Sequence, residues 1–287
     1  MTKYKTATVR ARLWISVSAL LACSLLQADA PGEFDILYDA RLGSWRAESS
    51  RNLSLDPSSG IYRMQATSSI KLLGQNLSTI REEASFRWQD DLPMPLHYKF
   101  EQSGIGARER SVSFDYSLGE THFHVDDRNG SYPLNAPIYD ELTAFQVIRQ
   151  QLQDGASEIY FTVLDRDEPE LWHFRVLTQG ILHTDLGDFT AVHLERVREE
   201  GNKRRTEFWL ASDFDYLLLK LVQEEPNGRT LTLNVASASL NGVPLRGSAE
   251  QHMDELEEFI PFEDAADLQA GRYPAAPATA HRQDQPR

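Results

Sequence analysis

One stretch of the chain has the pattern of a helix, and it constrains everything around it. It runs from Asp140 to Gly155, where Asp140 can cap the N-terminus and Gly155 can end the helix. Its apolar residues recur at helical spacing and form one stripe: Leu142, Phe145, Ile148 and Leu152. Between residues 34 and 240 the remaining chain has the pattern of short strands and turns, so a single helix must pack on a large sheet.

The strand pattern is a period-two alternation of apolar and polar residues. It begins at Phe34, Ile36 and Tyr38 and recurs in about a dozen short segments on both sides of the helix. The segment Arg128-Asn129-Gly130 has the composition of a hairpin turn. We therefore predict a mainly-β fold, in which a large curved antiparallel sheet, or open half-barrel, holds one central helix on its concave face.

Residues 1–30 have the features of an export signal. Basic residues precede the apolar run LWISVSALLACSLL, and Ala28-Asp29-Ala30 matches a small-residue cleavage site. The apolar run is too short to span a bilayer comfortably, so no transmembrane segment is expected in the mature chain. Leu20 to Cys23 also matches a lipobox, in which Cys23 would be lipidated. These features predict a periplasmic protein, with an outer-membrane lipoprotein as the alternative.

Composition divides the rest of the chain. Residues 31–242 contain the strand pattern and are predicted to form a single β-rich domain. Residues 243–269 are acidic with a few apolar positions, which indicates an amphipathic segment that could dock back on the domain. Residues 270–287 are rich in proline and alanine and are predicted to be disordered.

Charge and cysteine content exclude several classes of function. The formal net charge is −14, and it would be −17 without residues 1–30, which repels nucleic acid and anionic membrane surfaces. Cys23 is the single cysteine, so a chain cleaved after Ala30 has no disulfide and no thiol nucleophile. The glycines of Gly104-Ile105-Gly106 lack the third glycine of a dinucleotide loop and indicate a bend or bulge. No nucleophile elbow occurs either, so we expect neither a cofactor nor enzymatic activity.

Eight short stretches, taken in their order and spacing, resemble one protein family. They are Leu92 to Phe100, Gly104 to Gly106, Phe114 to Tyr116, Tyr132 to Leu134, Asp140 to Gln146, Asp165 to Glu168, Glu195 to Val197 and Asp213 to Leu218. With them, most of the mature chain resembles the periplasmic family catalogued as domain of unknown function 3108. The resemblance implies a periplasmic compartment and a fold similar in outline to the helix-plugged half-barrels of lipoprotein carriers such as LolA and LolB. It implies no activity and no site.

His122, His124 and Asp126 form the pattern H-x-H-x-D on a predicted strand. Alternation would place all three side chains on one face, where two imidazoles and a carboxylate could hold zinc with an open position. The other interpretation is a solvated polar face, since antiparallel sheets often have one wet side.

Arg149 lies within the apolar stripe of the predicted helix. It could be a cation at the mouth of a cavity that binds an anionic head group, or its stem could cover apolar surface while its head reaches a carboxylate. The predicted strands and helix also contain many aromatic residues that could line such a cavity or fill a core, among them Phe145, Trp172 and Phe174.

Three classes of function remain open at this stage. The first is a binding or carrier module for a hydrophobic or lipid-like ligand of the cell envelope. The second is a non-enzymatic envelope scaffold, possibly anchored through Cys23, that holds a partner protein by a strand edge or by its acidic C-terminal segment. The third is an enzyme whose site is assembled from residues distant in sequence. The sequence does not name a ligand, a partner or an oligomeric state.

Overall fold

The computed structural model describes residues 30–72, 75–248 and 260–261, and all seventeen strands of this part belong to one sheet. The strands are β1 (Phe34–Leu42), β2 (Trp45–Asp56), β3 (Ile61–Leu72), β4 (Gln75–Gln89), β5 (Leu92–Gly104), β6 (Arg108–Asp115), β7 (Glu120–Val125), β8 (Arg128–Pro133), β9 (Ile138–Tyr139), β10 (Glu158–Asp165), β11 (Glu168–Thr184), β12 (Gly187–Val197), β13 (Arg205–Ala211), β14 (Leu217–Glu224), β15 (Thr230–Leu240), β16 (Val243–Pro244) and β17 (Ile260–Pro261). The helices are α1 (Ala144–Gln153) and a 3₁₀ turn, η1 (Ser212–Phe214).

Burial alternates along the strands as the sequence predicts. In β1 the side chains of Phe34, Ile36 and Tyr38 are at most 5% exposed, while Asp35 and Leu37 point to solvent. The same alternation holds on β3, β5 and β6, so one face of the sheet builds the core and the other face is wet.

β1 joins the two halves of the sheet. It pairs with β2 on one side and with β15 on the other, so Phe34 lies opposite both Leu53 and Leu240. From β1 the first half runs in order through β8, and the second half runs from β15 back to β9. These neighbours are antiparallel, apart from the two-residue pairing of β9 with β10. The described residues form no backbone pairing between β8 and β9, so the sheet is open, and the predicted half-barrel is confirmed.

α1 fills the concavity of this sheet and touches it on several sides. Phe145 packs edge-on against Phe208 of β13, with ring centres 5.8 Å apart, and the guanidinium of Arg51 on β2 lies 4.6 Å from the Phe145 ring. Gln146 reaches Met64 of β3. The helix is therefore central, as predicted.

The helix begins later than the sequence suggests. The carboxylate of Asp140 accepts hydrogen bonds from the N–H groups of Leu142 and Thr143, at 3.0 and 2.8 Å, and so holds a turn ahead of the helix. Regular α-structure starts at Ala144, and Thr143 rather than Asp140 occupies the N-cap position. Burial raises the pKa of Asp140 to about 6, although these hydrogen bonds oppose the shift.

The helix ends at Gln153, and Gly155 supplies the predicted stop just beyond it. Gly155 has a φ of 81°, its N–H donates to the carbonyl of Leu152, and the N–H of Ala156 donates to the carbonyl of Gln151. This pair of bonds is a Schellman motif, which needs a residue that adopts positive φ without strain.

A hairpin connects β7 and β8, but the position predicted for its turn, Arg128-Asn129-Gly130, is wrong because those residues lie within β8. The turn falls at Asp126 and Asp127 instead, where Asp126 has a φ of 50° and Val125 pairs with Arg128. Gly130 is small for another reason: a Cβ placed on it would lie 2.4 Å from the ring of Phe123. The glycine thus makes room for an aromatic ring on the neighbouring strand.

The chain stays attached to the sheet beyond Gly242. Val243 pairs with Leu240, Leu245 is 1% exposed, and Ser248 forms a bridge with Asp188. The backbone of β17 adds a short strand to β11. The proposed export signal, most of the acidic segment and the proline-rich tail lie outside the described residues. None of the helices in the described ranges is both long enough and apolar enough to cross a membrane.

Two glycines with positive φ, Gly104 at the end of β5 and Gly119 in the turn before β7, differ in the space around them. A Cβ on Gly104 would lie 2.3 Å from the backbone oxygen of Leu77, whereas one on Gly119 would meet nothing within 4 Å. We expect Gly119→Ala to lower the free energy of unfolding by about 1–2 kcal/mol, the cost of a left-handed alanine. Gly104→Ala should cost a further 1–3 kcal/mol or so, because backbone must move to relieve the clash. Urea unfolding of both variants measures the difference, and equal losses would contradict the close approach.

Candidate functional site

The candidate site is the interface between α1 and the concave wall of the sheet. A series of aromatic rings follows one side of it. Phe161 of β10 stacks with Phe174 of β11 at 5.7 Å, Phe174 meets Phe208 at 5.7 Å, and Phe208 meets Phe145 of the helix. Trp172 joins the series through Phe174, at 6.2 Å. Such offset and edge-on contacts are the favoured geometries of aromatic pairs, and the rings make a continuous apolar surface against the helix.

A neighbouring part of the helix surface is polar although it is buried. Gln146, Arg149 and Gln150 are 1%, 5% and 2% exposed. The amide nitrogen of Gln146 reaches only the sulfur of Met64, at 3.5 Å, and Oε1 of Gln150 has no hydrogen-bond partner. A thioether is a weak acceptor, and a buried polar atom without a partner costs free energy. The interface is therefore less favourable than an apolar one of the same size.

Arg149 is paired within this interface. Its guanidinium forms an ion pair with Asp215, donates from Nε to the backbone oxygen of Asp215 at 2.7 Å, and donates from Nη1 to Oε1 of Gln146 at 2.8 Å. Burial lowers the pKa of Arg149, and Asp215 opposes that shift. The arginine thus brings a charge into the interior together with its counter-ion.

A second polar cluster lies at the start of the helix. Glu141 accepts a hydrogen bond from Nη2 of Arg110 at 2.5 Å, and the same Nη2 donates to the hydroxyl of Tyr98 at 3.1 Å. The Tyr98 hydroxyl donates to Glu82 at 2.8 Å, and Nε of Arg110 is buried without a partner. Burial raises the pKa of Glu141 to about 7; Arg110 opposes the shift, whereas the charges of Glu82 and Asp165 add to it.

Side chains rather than backbone bridge the open edge of the sheet, which we call the seam. Arg128 of β8 forms an ion pair with Asp167 in the turn after β10, and the Tyr132 hydroxyl donates to the backbone oxygen of Asp167 at 3.0 Å. Arg110 of β6 also approaches Asp165 at 4.0 Å. The seam can therefore separate without the loss of any backbone ladder among the described strands.

The structure brings together three of the four predicted ligand-binding residues. Phe145, Trp172 and Phe174 belong to the aromatic series, while Arg149 points to Asp215 on another side of the helix. All four side chains pack in the interior of the protein, and their positions do not assign them a ligand.

The predicted metal ligands do not form one cluster. His122 and His124 share the outer face of β7, and Nδ1 of His124 lies 2.9 Å from the side-chain oxygen of Asn129. Asp126 sits in the following turn, where its carboxylate accepts from the N–H of Glu109 at 3.4 Å. Within the described ranges, no group of three or more His, Cys, Asp or Glu residues could hold a metal ion.

Sequence reasoning named Arg149, with a carboxylate partner as one alternative, but it missed Gln146 and Gln150 beside it and the whole cluster at the start of the helix. One signal was present, because Gln146, Arg149 and Gln150 are spaced by three and four residues and must share a helical face. No local signal announces Tyr98, Arg110 and Glu141 as neighbours, since they come from β5, β6 and the turn before α1.

The chain has matches among protein families and solved structures. The family model described as "Protein of unknown function (DUF3108)" matches residues 5–234. The chain is similar to the crystal structure of a beta-barrel-like protein of domain of unknown function DUF1849 from Brucella abortus, with a TM-score of 0.52 and 8% identity over 75% of this chain and 100% of that chain. An outer membrane lipoprotein-sorting protein domain from Vibrio parahaemolyticus matches with a TM-score of only 0.19 and 11% identity, over 84% of this chain and 90% of that chain. A search of the curated proteins finds no match.

The raised pKa of Glu141 predicts a pH-dependent stability. Between its ordinary value of 4.5 and about 7, the folded state binds the proton more tightly than the unfolded chain. The free energy that protonation of Glu141 contributes to stability is therefore complete below pH 4.5, and it is lost as the pH rises through 7. Relative to Glu141→Gln, we expect wild type to lose about 1–3 kcal/mol of unfolding free energy between pH 4.5 and 8.

Chemical unfolding at several pH values measures this difference, with Glu200→Gln on an exposed turn as the control. The control should follow the wild-type profile. A Glu141→Gln profile that also runs parallel to wild type would contradict the shift.

Proposed function

The chain belongs to the DUF3108 family of proteins of unknown function, and we propose that it is a non-enzymatic binding or carrier module for a hydrophobic or lipid-like ligand of the cell envelope. The ligand lies between the concave wall and α1, in space that the helix fills in the structure. Residues 1–30 export the protein to the periplasm, where it is soluble or, as the alternative, anchored through Cys23.

The observation that carries this proposal is the buried polar face of α1. A helix that served only to fill a core would be apolar toward the wall. Here Gln146 and Gln150 gain hydrogen bonds to water if the helix moves away, and this gain offsets part of the cost of exposing the helix. The wall left behind is apolar and suits an acyl chain. Helix and ligand can therefore exchange at a moderate cost.

The seam supports the same proposal by supplying a route. β9, α1 and β10 follow one another in the chain, so a movement of the helix pulls on the strand pair at the seam. The contacts across the seam are side-chain contacts such as Arg128 with Asp167, and exposed ion pairs of this kind contribute about 0–1 kcal/mol. Opening there costs less than breaking a strand ladder.

Particular residues take distinct roles in the proposed complex. Phe145, Trp172 and Phe174 contact the apolar part of the ligand, since they already form one aromatic surface beside the helix. Arg149 binds an anionic head group, because it is the buried cation of the helix and a head group can replace Asp215 as its partner.

A scaffold function is the second candidate, and strand edges favour it. β8 is an exposed edge, and β11 accepts the short strand β17 at Thr178 and Gln179. Edges of this kind can bind a strand of a partner protein. A truncation made after Ser248 tests it better than one after Gly242, because Leu245 is part of the core. If the truncated protein folds but no longer co-purifies an envelope protein, the scaffold function is favoured.

Two helix variants test the carrier function. Gln150→Leu should hold α1 more firmly on the wall, because a buried Oε1 without a hydrogen-bond partner is replaced by an apolar group, while Gln146 keeps its hydrogen bond with Arg149. We expect a higher thermal midpoint and at least about tenfold weaker binding of cis-parinaric acid, a fluorescent acyl-chain probe, since the helix must leave before the probe binds. Gln151→Leu, which changes a partly exposed position of the same helix, should alter neither property.

Two results would overturn the proposal. Equal probe binding by wild type and Gln150→Leu would place the ligand away from the helix. Absence of probe binding to wild type, together with no lipid in native mass spectrometry of protein recovered from its own envelope, would exclude a carrier of acyl chains.

A further inference from the structure

A second concave surface lies on the outer face of the sheet, away from the helix. It is a groove of about 500 Å³ that crosses β3, β4, β5, β6 and β7. At the usual separation of neighbouring strands, five strands span about 19 Å. The groove is therefore long enough for an extended ligand with more than one charged group.

Strand register explains how the groove is built. Two rows of side chains cross the five strands side by side on the outer face. The first row is Arg63, Ser85, His97, Ser113 and His122. The second row is Gln65, Glu83, Lys99, Ser111 and His124. In the first row, serines alternate with large basic or imidazole side chains, so small hydroxyl groups form a floor between taller donors.

The groove differs in charge from the rest of this acidic protein. Among its lining residues Glu83 is the single acid, against the basic side chains Arg63 and Lys99 and three histidines, His97, His122 and His124. Glu83 accepts a hydrogen bond from Gln65 at 3.2 Å. The chain as a whole has a net charge of −14, so a basic groove is not a general property of its surface.

Acidic residues at the rim reduce this charge. Glu101 pairs with Lys99 at 2.8 Å, and Glu120 lies 3.8 Å from His122. Glu109 lies opposite Glu101 at the end of the groove. Arg63, at one end of the first row, and His97, at its centre, have no ion pair among the described residues, so both side chains are free to bind an anion.

We propose that this groove binds an extended anion bearing phosphate groups. Arg63 and Lys99 supply permanent positive charge, the histidines supply further charge when protonated, and Ser85, Ser111 and Ser113 donate hydroxyl hydrogen bonds from the floor. Charged donors and hydroxyl groups that converge on one site are the groups that bind phosphate oxygens. This site is separate from the proposed interior site, and neither depends on the other.

The pH dependence of binding follows from the groups that face the groove. Histidine is the side chain that ordinarily gains its charge between pH 8 and 5. The other charged groups at the groove are Arg63, Lys99, Glu83, Glu101, Glu109 and Glu120, together with Asp115 near His122. Acidification therefore makes the groove more positive, and binding of a phosphate-bearing anion becomes tighter.

Isothermal titration of the full chain with inorganic tripolyphosphate, at pH 5.5 and pH 8.0, tests the proposal. We expect binding about tenfold tighter at pH 5.5. The triple variant His97→Gln/His122→Gln/His124→Gln should lose this difference, and Lys99→Gln should weaken binding at both pH values. His183→Gln, at an exposed histidine of β11, is the matched control and should bind as wild type does. Unchanged thermal midpoints show that the variants fold.

The proposal fails if wild type does not bind tripolyphosphate at pH 5.5, or if the groove variants bind as wild type does. It also fails if a chelator abolishes binding, because a bound metal ion and not the basic side chains would then hold the anion. Vesicles containing phosphatidylglycerol, compared with soluble tripolyphosphate, distinguish a lipid head group from a free phosphate compound as the source of the ligand. Failure here leaves the acyl-chain experiment on the helix variants unaffected.

Discussion

Pairing of β1 with both β2 and β15 is the constraint on which the rest of the structure depends. It makes one sheet of two meanders that would otherwise have separate edges. Curvature of that single sheet creates the concavity, where Ile148 and Leu152 of α1 and Leu142 of the preceding turn are buried. Without the central strand, the helix would have a wall on one side alone. The interior site and the seam both follow from this arrangement.

Local patterns in the sequence are enough to predict the elements of this fold. Alternation along β1 identifies a half-buried strand because a strand turns every second side chain to the same face. Gly155 identifies the end of the helix because its positive φ is a local requirement. Local reasoning fails where a residue serves a distant neighbour. Gly130 lies in a stretch with the composition of a turn, but a glycine is needed there because the ring of Phe123 occupies the space that a Cβ would fill.

The site is harder to predict because its contacts are long-range. Asp215 pairs with Arg149 from 66 positions away, and nothing near Arg149 in the sequence names that partner. The outer groove requires the register of five strands, which alternation does not determine. Alternation places His122 and His124 on one face of β7, as predicted, but Asp126 lies in the turn after the strand and not on that face. Ser111 and Ser113 of β6 lie opposite these histidines, and hydroxyl groups accompany an anion site better than a zinc site.

The double pairing of β1 has a consequence for how the protein reaches its native state. Phe34 is among the first residues of the sheet and Leu240 among the last, so the ladder between them forms only when nearly the whole chain is present. Contacts so far apart in sequence are slow to form, because the entropy of closing a large loop is lost before the strand pairing contributes any stabilising free energy. Until then one edge of β1 stays unsatisfied and is prone to pair with another chain. Production of this protein should therefore be sensitive to chaperones that shield nascent strands, and early release of an incomplete chain should lead to aggregation.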